Sequence, residues 1–179
     1  MTRKAADSIR KGLEEVPEYA RKNHMPEIKY YWEDLVPGEV VQFGAYHVTK
    51  EEIIAFASEY DPQLMHTDEE AAKKTFIGGL CSSGWHSCAM AMRMMCDHYL
   101  LQSAGMGSPG LDDSKWRAPV RPGDILSMTR ECLERRASKS RPEMGLTRFR
   151  HTMANQHGEV KMILEGSMMF ARRNPGAEV

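Results

Sequence analysis

The apolar and polar positions divide the chain into a first half of helical spacing and a second half of strand spacing. Residues 1–28 stand apart. Ile9, Leu13 and Val16 fall at i, i+4 and i+7, a narrow apolar stripe on a short helix that Pro17 stops. This segment reads as an arm lying on a domain surface. Pro37-Gly38 then marks a turn, and Val40 to Val48 reads as a strand. Thr49 offers a helix N-cap, with Glu51 and Glu52 in the first turn, where the helix dipole favours acids. Ile53, Ile54, Phe56 and Ala57 give that helix its buried side. It ends before Asp61-Pro62, because a proline disfavours helical geometry in the residue ahead of it. Asp68 caps a short helix from Glu69 to Lys74, and Gly78-Gly79 breaks the chain.

Ser83 to Ser103 is the dominant helical segment. Trp85, Ala89, Met92, Cys96 and Tyr99 form one apolar stripe, while Cys88, Met90, Met94 and Met95 are apolar on other faces. A helix apolar nearly all round is expected to be buried on most sides, and Gly105 and Gly107 are expected to end it. Strands follow: Trp116 to Val120, the turn Arg121-Pro122-Gly123-Asp124, and Ile125 to Glu134. A polar loop from Ser138 to Pro142 leads to Leu146–Met153, and His157-Gly158 turns the chain into the last strand. There Val160, Met162, Leu164, Gly166, Met168 and Phe170 alternate with Lys161, Glu165 and Ser167. Early helices and late strands imply an α+β domain, with a curved antiparallel sheet wrapped around the long helix.

The 179 residues suit one domain, expected over 29–173 between the arm 1–28 and a tail 174–179. With 24 basic against 25 acidic side chains, the chain lacks the basic face of a nucleic-acid binder. The long helical segment carries His86, Arg93, Asp97 and His98, which argues against a membrane span, and the start lacks a continuous secretory apolar run. Cys81, Cys88 and Cys96 fall near one stripe of a single helix, too rigid to join them, so these and Cys132 read as buried free thiols of a cytoplasmic protein. The 14 methionines read as core filling.

Chemistry gathers in Glu59-Tyr60-Asp61-Pro62-Gln63-Leu64-Met65-His66-Thr67-Asp68. Asp61 and His66 are five apart, a spacing that does not stack side chains on a helix, so they converge only if the loop folds back. A carboxylate and an imidazole can hold one water between them and straddle the pKa range for moving its protons. Gly84, where Ser82-Ser83-Gly84-Trp85-His86 opens the long helix, would let a carbonyl oxygen approach the helix N-terminus. His86 reads as a hydrogen-bonded helix histidine. His66 and Asp68 suggest a metal only weakly, since a third ligand is missing.

The Asp-to-His spacing resembles the hydratase motif of the MaoC-like dehydratases, or hydratase 2 enzymes. Phe76-Ile77-Gly78-Gly79 resembles the family's approach to its long helix, and Trp116-Arg117-Ala118-Pro119-Val120-Arg121-Pro122-Gly123-Asp124 its Pro-Val…Pro-Gly-Asp signature. Ser140-Arg141-Pro142-Glu143-Met144-Gly145 resembles a further family stretch, so the likeness spans about Tyr31 to Phe170. Two departures stand out. Gln63-Leu64 replaces the usual Asn-Pro, and Ala89-Met90-Ala91-Met92 lies where some members carry a serine.

The resemblance implies a hotdog fold and reversible hydration of a trans-2-enoyl-CoA to an (R)-3-hydroxyacyl-CoA. It implies Asp61 and His66 as the catalytic pair, with Gly84 and Ser83 at the oxyanion and substrate site. No cofactor is implied beyond the CoA of the substrate. The partners are the acyl-CoA thioester and a second copy, as a homodimer or higher homo-oligomer that pairs sheets edge to edge. Arg121, Arg135, Arg136, Arg141, Arg148 and Arg150 are candidates for the CoA phosphates. Two rivals remain open: a hotdog thioesterase, disfavoured by this spacing, and a non-catalytic acyl-binding protein, kept alive by the altered Gln63-Leu64 loop.

Overall fold

A computed structural model describes residues 27–175. The expected helix of residues 9–16 and most of the tail lie outside these described residues. The elements in order are β1 (Val40–His47), α1 (Lys50–Tyr60), α2 (Leu64–Thr67), α3 (Glu69–Lys73) and α4 (Gly84–His98). Then come β2 (Gly105–Trp116), β3 (Ile125–Ala137), β4 (Met144–Ala154) and β5 (Val160–Ala171). The strands form one antiparallel sheet in the order β1-β3-β4-β5-β2. α4 packs against β1 and β3, and Met90, Ala91, Met94 and Met95 enter a common core with Phe43, Phe149 and Phe170. This α+β hotdog layout is the one expected. No described helix is long and apolar enough to cross a membrane.

Local signals in the first half behave as elementary chemistry dictates. Thr49 Oγ1 accepts the Glu52 N–H at 3.2 Å, and the Glu52 carboxylate returns the bond to the Thr49 N–H, closing a capping box on α1. Asp68 accepts the Ala71 N–H at 2.9 Å and so starts α3.

Four expectations are corrected. The long helix covers Gly84–His98, with Ser83 as its N-cap, and stops where Tyr99 leaves helical geometry before a 3-10 turn at Leu100–Gln102. Gly105 and Gly107 do not end it; they open the twelve-residue strand β2, and residues 117–120, expected as strand, are irregular. Glycine, serine and aspartate fill β2 and disguise it, and the strand exists because it pairs with β5, through three register shifts. The stripe of Trp85, Ala89 and Met92 faces outward, with Trp85 69% exposed, while the core takes the Met90, Met94 face. Finally, Cys81 precedes α4, so it shares no helical stripe with Cys88 and Cys96; all four thiols are free.

The Pro-Gly-Asp turn acts as a bracket. Asp124 accepts the Arg121 N–H at 2.8 Å and an Asn155 side-chain N–H at 2.9 Å. The Lys161 ammonium, only 4% exposed, lies 3.3 Å from Asp124 and donates to the Pro119 carbonyl at 2.9 Å. The Arg121 guanidinium donates to the Leu80 and Ile77 carbonyls at 3.2 and 2.6 Å. Residues 117–120 and the loop before α4 are thereby tied to the sheet.

Candidate active site

Asp61 is the C-cap of α1: its N–H still reaches the Ala57 carbonyl at 2.9 Å, but its φ of −152° leaves the helix. Pro62 then prevents the helix from resuming. α2 is one turn long and ends with His66 and Thr67. The five-residue spacing therefore converges because the chain reverses between two helix ends.

The His66 ring is fixed from behind. Its Nδ1 lies 2.8 Å from the Cys81 carbonyl oxygen. A carbonyl can only accept, so Nδ1 carries the proton, and in the neutral ring Nε2 keeps its lone pair. The Cys81 N–H in turn donates to the Met65 carbonyl at 3.1 Å, pinning α2 to the loop before α4. Nε2 points toward Asp61 Oδ2, 3.6 Å away. That is too long for a direct hydrogen bond, yet one water set off the line between them, about 2.8 Å from each, can bridge the two groups.

Asp61 is gripped at both oxygens. The Ser83 hydroxyl donates to Oδ2 at 2.6 Å, and the Gln63 side-chain amide donates to Oδ1 at 2.7 Å. These bonds, Ser83 foremost, hold the carboxyl below the usual carboxylate range, against the opposing effect of burial. Ser83 does a second job, since its Oγ also accepts the Trp85 N–H at 3.3 Å and caps α4. Ser83 thus joins Asp61 to the start of α4 beside the cavity that it also lines.

The pair lines a cavity of about 620 Å³ that is closed elsewhere by Met65, Ile77, Trp85, Trp116 and Pro119. Gly84 opens α4 onto this cavity, and its N–H is one of the four at a helix start that have no acceptor within the helix. The structure adds a packing reason for glycine at this position. A Cβ there would lie 2.8 Å from the Trp116 indole, whose Nε1–H donates to the Gly84 carbonyl at 3.0 Å. Trp116 also meets Trp85 edge-on, with centroids 6.1 Å apart. Packing against the indole demands the absent side chain.

All four expected site residues, Asp61, His66, Ser83 and Gly84, line this one cavity. Reasoning from sequence missed Gln63 and Trp116. Gln63 stood out only as a departure from the motif, although an amide two residues from Asp61 was a visible donor. The expected hydrogen bond of His86 is not seen at Nδ1: the ring stacks on Phe56 at 4.6 Å, and its buried Nδ1 has no hydrogen-bond partner among the described residues. Burial pushes its pKa down. Of the arginines proposed for CoA, Arg121 and Arg135 bind backbone carbonyls, and Arg141, Arg148 and Arg150 bind carboxylates. Arg117, by contrast, lines the cavity. Among the described residues, no three His, Cys, Asp or Glu side chains converge as a metal-ligand set.

Comparison with known proteins supplies a context for this geometry. A family model described as "MaoC like domain" matches residues 34–155. The MaoC-like dehydratase of Rhodospirillum rubrum is 36% identical, with a TM-score of 0.76 over 82% of this chain and 99% of its own. The R-hydratase PhaJ1 of Pseudomonas aeruginosa shares the fold at 19% identity, with a TM-score of 0.64 over 83% of this chain and 92% of its own. The uncharacterised protein YdeM of Bacillus subtilis is 29% identical over 131 residues, 73% of this chain and 90% of that protein.

Proposed function

Because the chain belongs to the MaoC-like dehydratase family, we propose that it is a hydro-lyase that reversibly adds water to a trans-2-enoyl-CoA, giving the (R)-3-hydroxyacyl-CoA. The observation that carries this reading is the 3.6 Å gap between His66 Nε2 and Asp61 Oδ2, open to the cavity that Gly84 also lines. Both facing atoms are acceptors, so a water in the gap donates one O–H to each and turns its oxygen lone pair toward the cavity. That oxygen attacks the β-carbon of the enoyl group. His66 Nε2 takes the proton the water loses, since an imidazole is the side chain suited to take and return one near neutral pH. The electron pair of the double bond moves to the thioester oxygen, where the Gly84 N–H stabilises the developing charge. The imidazolium then returns the proton to the α-carbon, and the ring is restored.

The outward apolar residues bear on assembly. Leu111 and Trp116 on the edge strand β2 are 55% and 48% exposed, and Trp85 and Met92 lie bare on α4. A second copy pairing along β2 would cover the unpaired edge with Leu111 and Trp116, the latter beside the cavity. These exposed residues support the proposed homodimer.

The test is a panel of enoyl-CoA thioesters of graded length, followed in parallel for loss of the conjugated double bond and for free thiol. Loss of the double bond without thiol, and chiral analysis giving the (R) product, is the expected result. Thiol release would replace the reading with a thioesterase. Tight binding without either change would make the protein a non-catalytic acyl binder.

A further inference from the structure

We infer that Ser83 and Gln63 are positioning residues that clamp Asp61, keeping its carboxylate a fixed acceptor and leaving proton transfer to His66. The inference rests on the hydratase reading above and assigns work to two residues within it. Two short donors to a carboxylate favour its charged form and fix its plane, so that taking a proton would weaken both bonds. Here each oxygen already accepts a short bond, 2.6 Å from Ser83 and 2.7 Å from Gln63, and the two donors approach from different elements. Ser83 is itself immobilised as the N-cap of α4. The backbone of Gln63 is held too, its carbonyl accepting the His66 N–H at 2.8 Å and the Thr67 hydroxyl at 3.2 Å. Plane and position of the carboxylate are therefore set by two anchored donors, which also favour its charged form.

Three consequences follow. The water in the gap finds Asp61 as a strong acceptor that orients one O–H and does not remove it. The other O–H faces His66 Nε2, the atom left free by the Nδ1 bond to Cys81. Gln63, which stands where the family motif has asparagine, is not an idle replacement, because its longer side chain reaches Oδ1.

Gln63→Leu and Ser83→Ala each remove one donor. Gln63 is exposed and its side chain makes no cap bond, so Gln63→Leu leaves the fold intact even if Ser83→Ala weakens the start of α4. With crotonyl-CoA, Gln63→Leu is expected to lower kcat between about ten- and a hundredfold with KM little changed. The limb of the pH profile set by Asp61 ionisation should move to higher pH, and Ser83→Thr should restore what Ser83→Ala loses. Carbon-13 NMR of the Asp61 carboxyl, assigned with Asp61→Asn, provides a readout that needs no turnover: each donor variant should titrate at higher pH than the parent. Unchanged titration and an unchanged pH profile in Gln63→Leu would overturn the clamp. Absence of hydration by the parent protein, with the carboxyl shift intact, would overturn the hydratase reading and leave the clamp standing.

Discussion

His66 and His151 are almost equally hidden, at 5% and 4% exposure, and each has an oxygen against one ring nitrogen. Their surroundings differ in sign. His66 turns its other nitrogen toward a carboxylate and an open cavity. His151, on β4, has Nε2 3.2 Å from the Tyr99 hydroxyl, and the Arg130 guanidinium lies 4.7 Å over the same Tyr99 ring while pairing with Glu39 at 2.8 Å. Burial first, and the Arg130 charge second, push the His151 pKa down to about 4. Burial with a neighbouring cation disarms an imidazole. An anionic neighbour, a freed nitrogen and room for a reactant make one useful.

The sharpest way to break this comparison is to remove the two sides in turn. Asp61→Ala and His66→Ala should each lose about a thousandfold in hydration rate. The double variant should be little worse, because residues acting on one water fail together. Steady-state rates with crotonyl-CoA, alongside circular dichroism showing a folded chain, check this. A single variant with near-full rate, or losses that multiply, would dissolve the distinction.

The next effect belongs to the other histidine and is one of stability. Unfolded, His151 binds its proton near pH 6.5; folded, only near pH 4. Between those values the unfolded chain holds more protons, so stability is complete above pH 6.5 and drains away as the pH falls toward 4. The loss is on the order of 3 kcal/mol at most. His151→Leu should keep its hydration rate at pH 7.5 while flattening the slope of Tm against pH across that window. An unchanged slope would show that another group governs the acid sensitivity.

Smallest is an effect at the rim of the cavity. Gly84→Ala puts a methyl into the Trp116 ring and should cost about tenfold in rate by displacing it, with a matching change in tryptophan fluorescence. Adding Trp116→Ala should recover part of the loss, since the clash disappears. If the double variant is as poor as the sum of the singles, access of the thioester and not the indole sets the need for glycine.

Much of the region around His66 was legible because its signals are local. A cap at Thr49, a proline after Asp61 and a glycine opening α4 act on their own neighbours, and the resemblance of this stretch to the family motif named Asp61, His66, Ser83 and Gly84 together. What escaped depended on distant partners. β2 is a poor strand by composition and exists through β5, some fifty residues later. The stripe of Trp85, Ala89 and Met92 has helical spacing, but spacing does not reveal which of two apolar faces meets the core. Ser83 was expected to face a ligand, and only the return of α1 toward the start of α4 puts its hydroxyl on Asp61.

The position of β2 against β5 also dictates a schedule. A ribosome has made Asp61, His66, Ser83 and Gly84 long before Val160, yet the wall carrying Trp116 has no strand to pair with until residues 160–171 emerge. Lys161, which holds the Pro119 carbonyl, arrives equally late. A nascent chain stopped before Val160 therefore carries every proposed catalytic group but lacks the strand that pairs with β2 beside Trp116. Closing contacts so far apart in sequence is slow, which makes the final strand, not the residues that do chemistry, the step at which the enzyme comes into being.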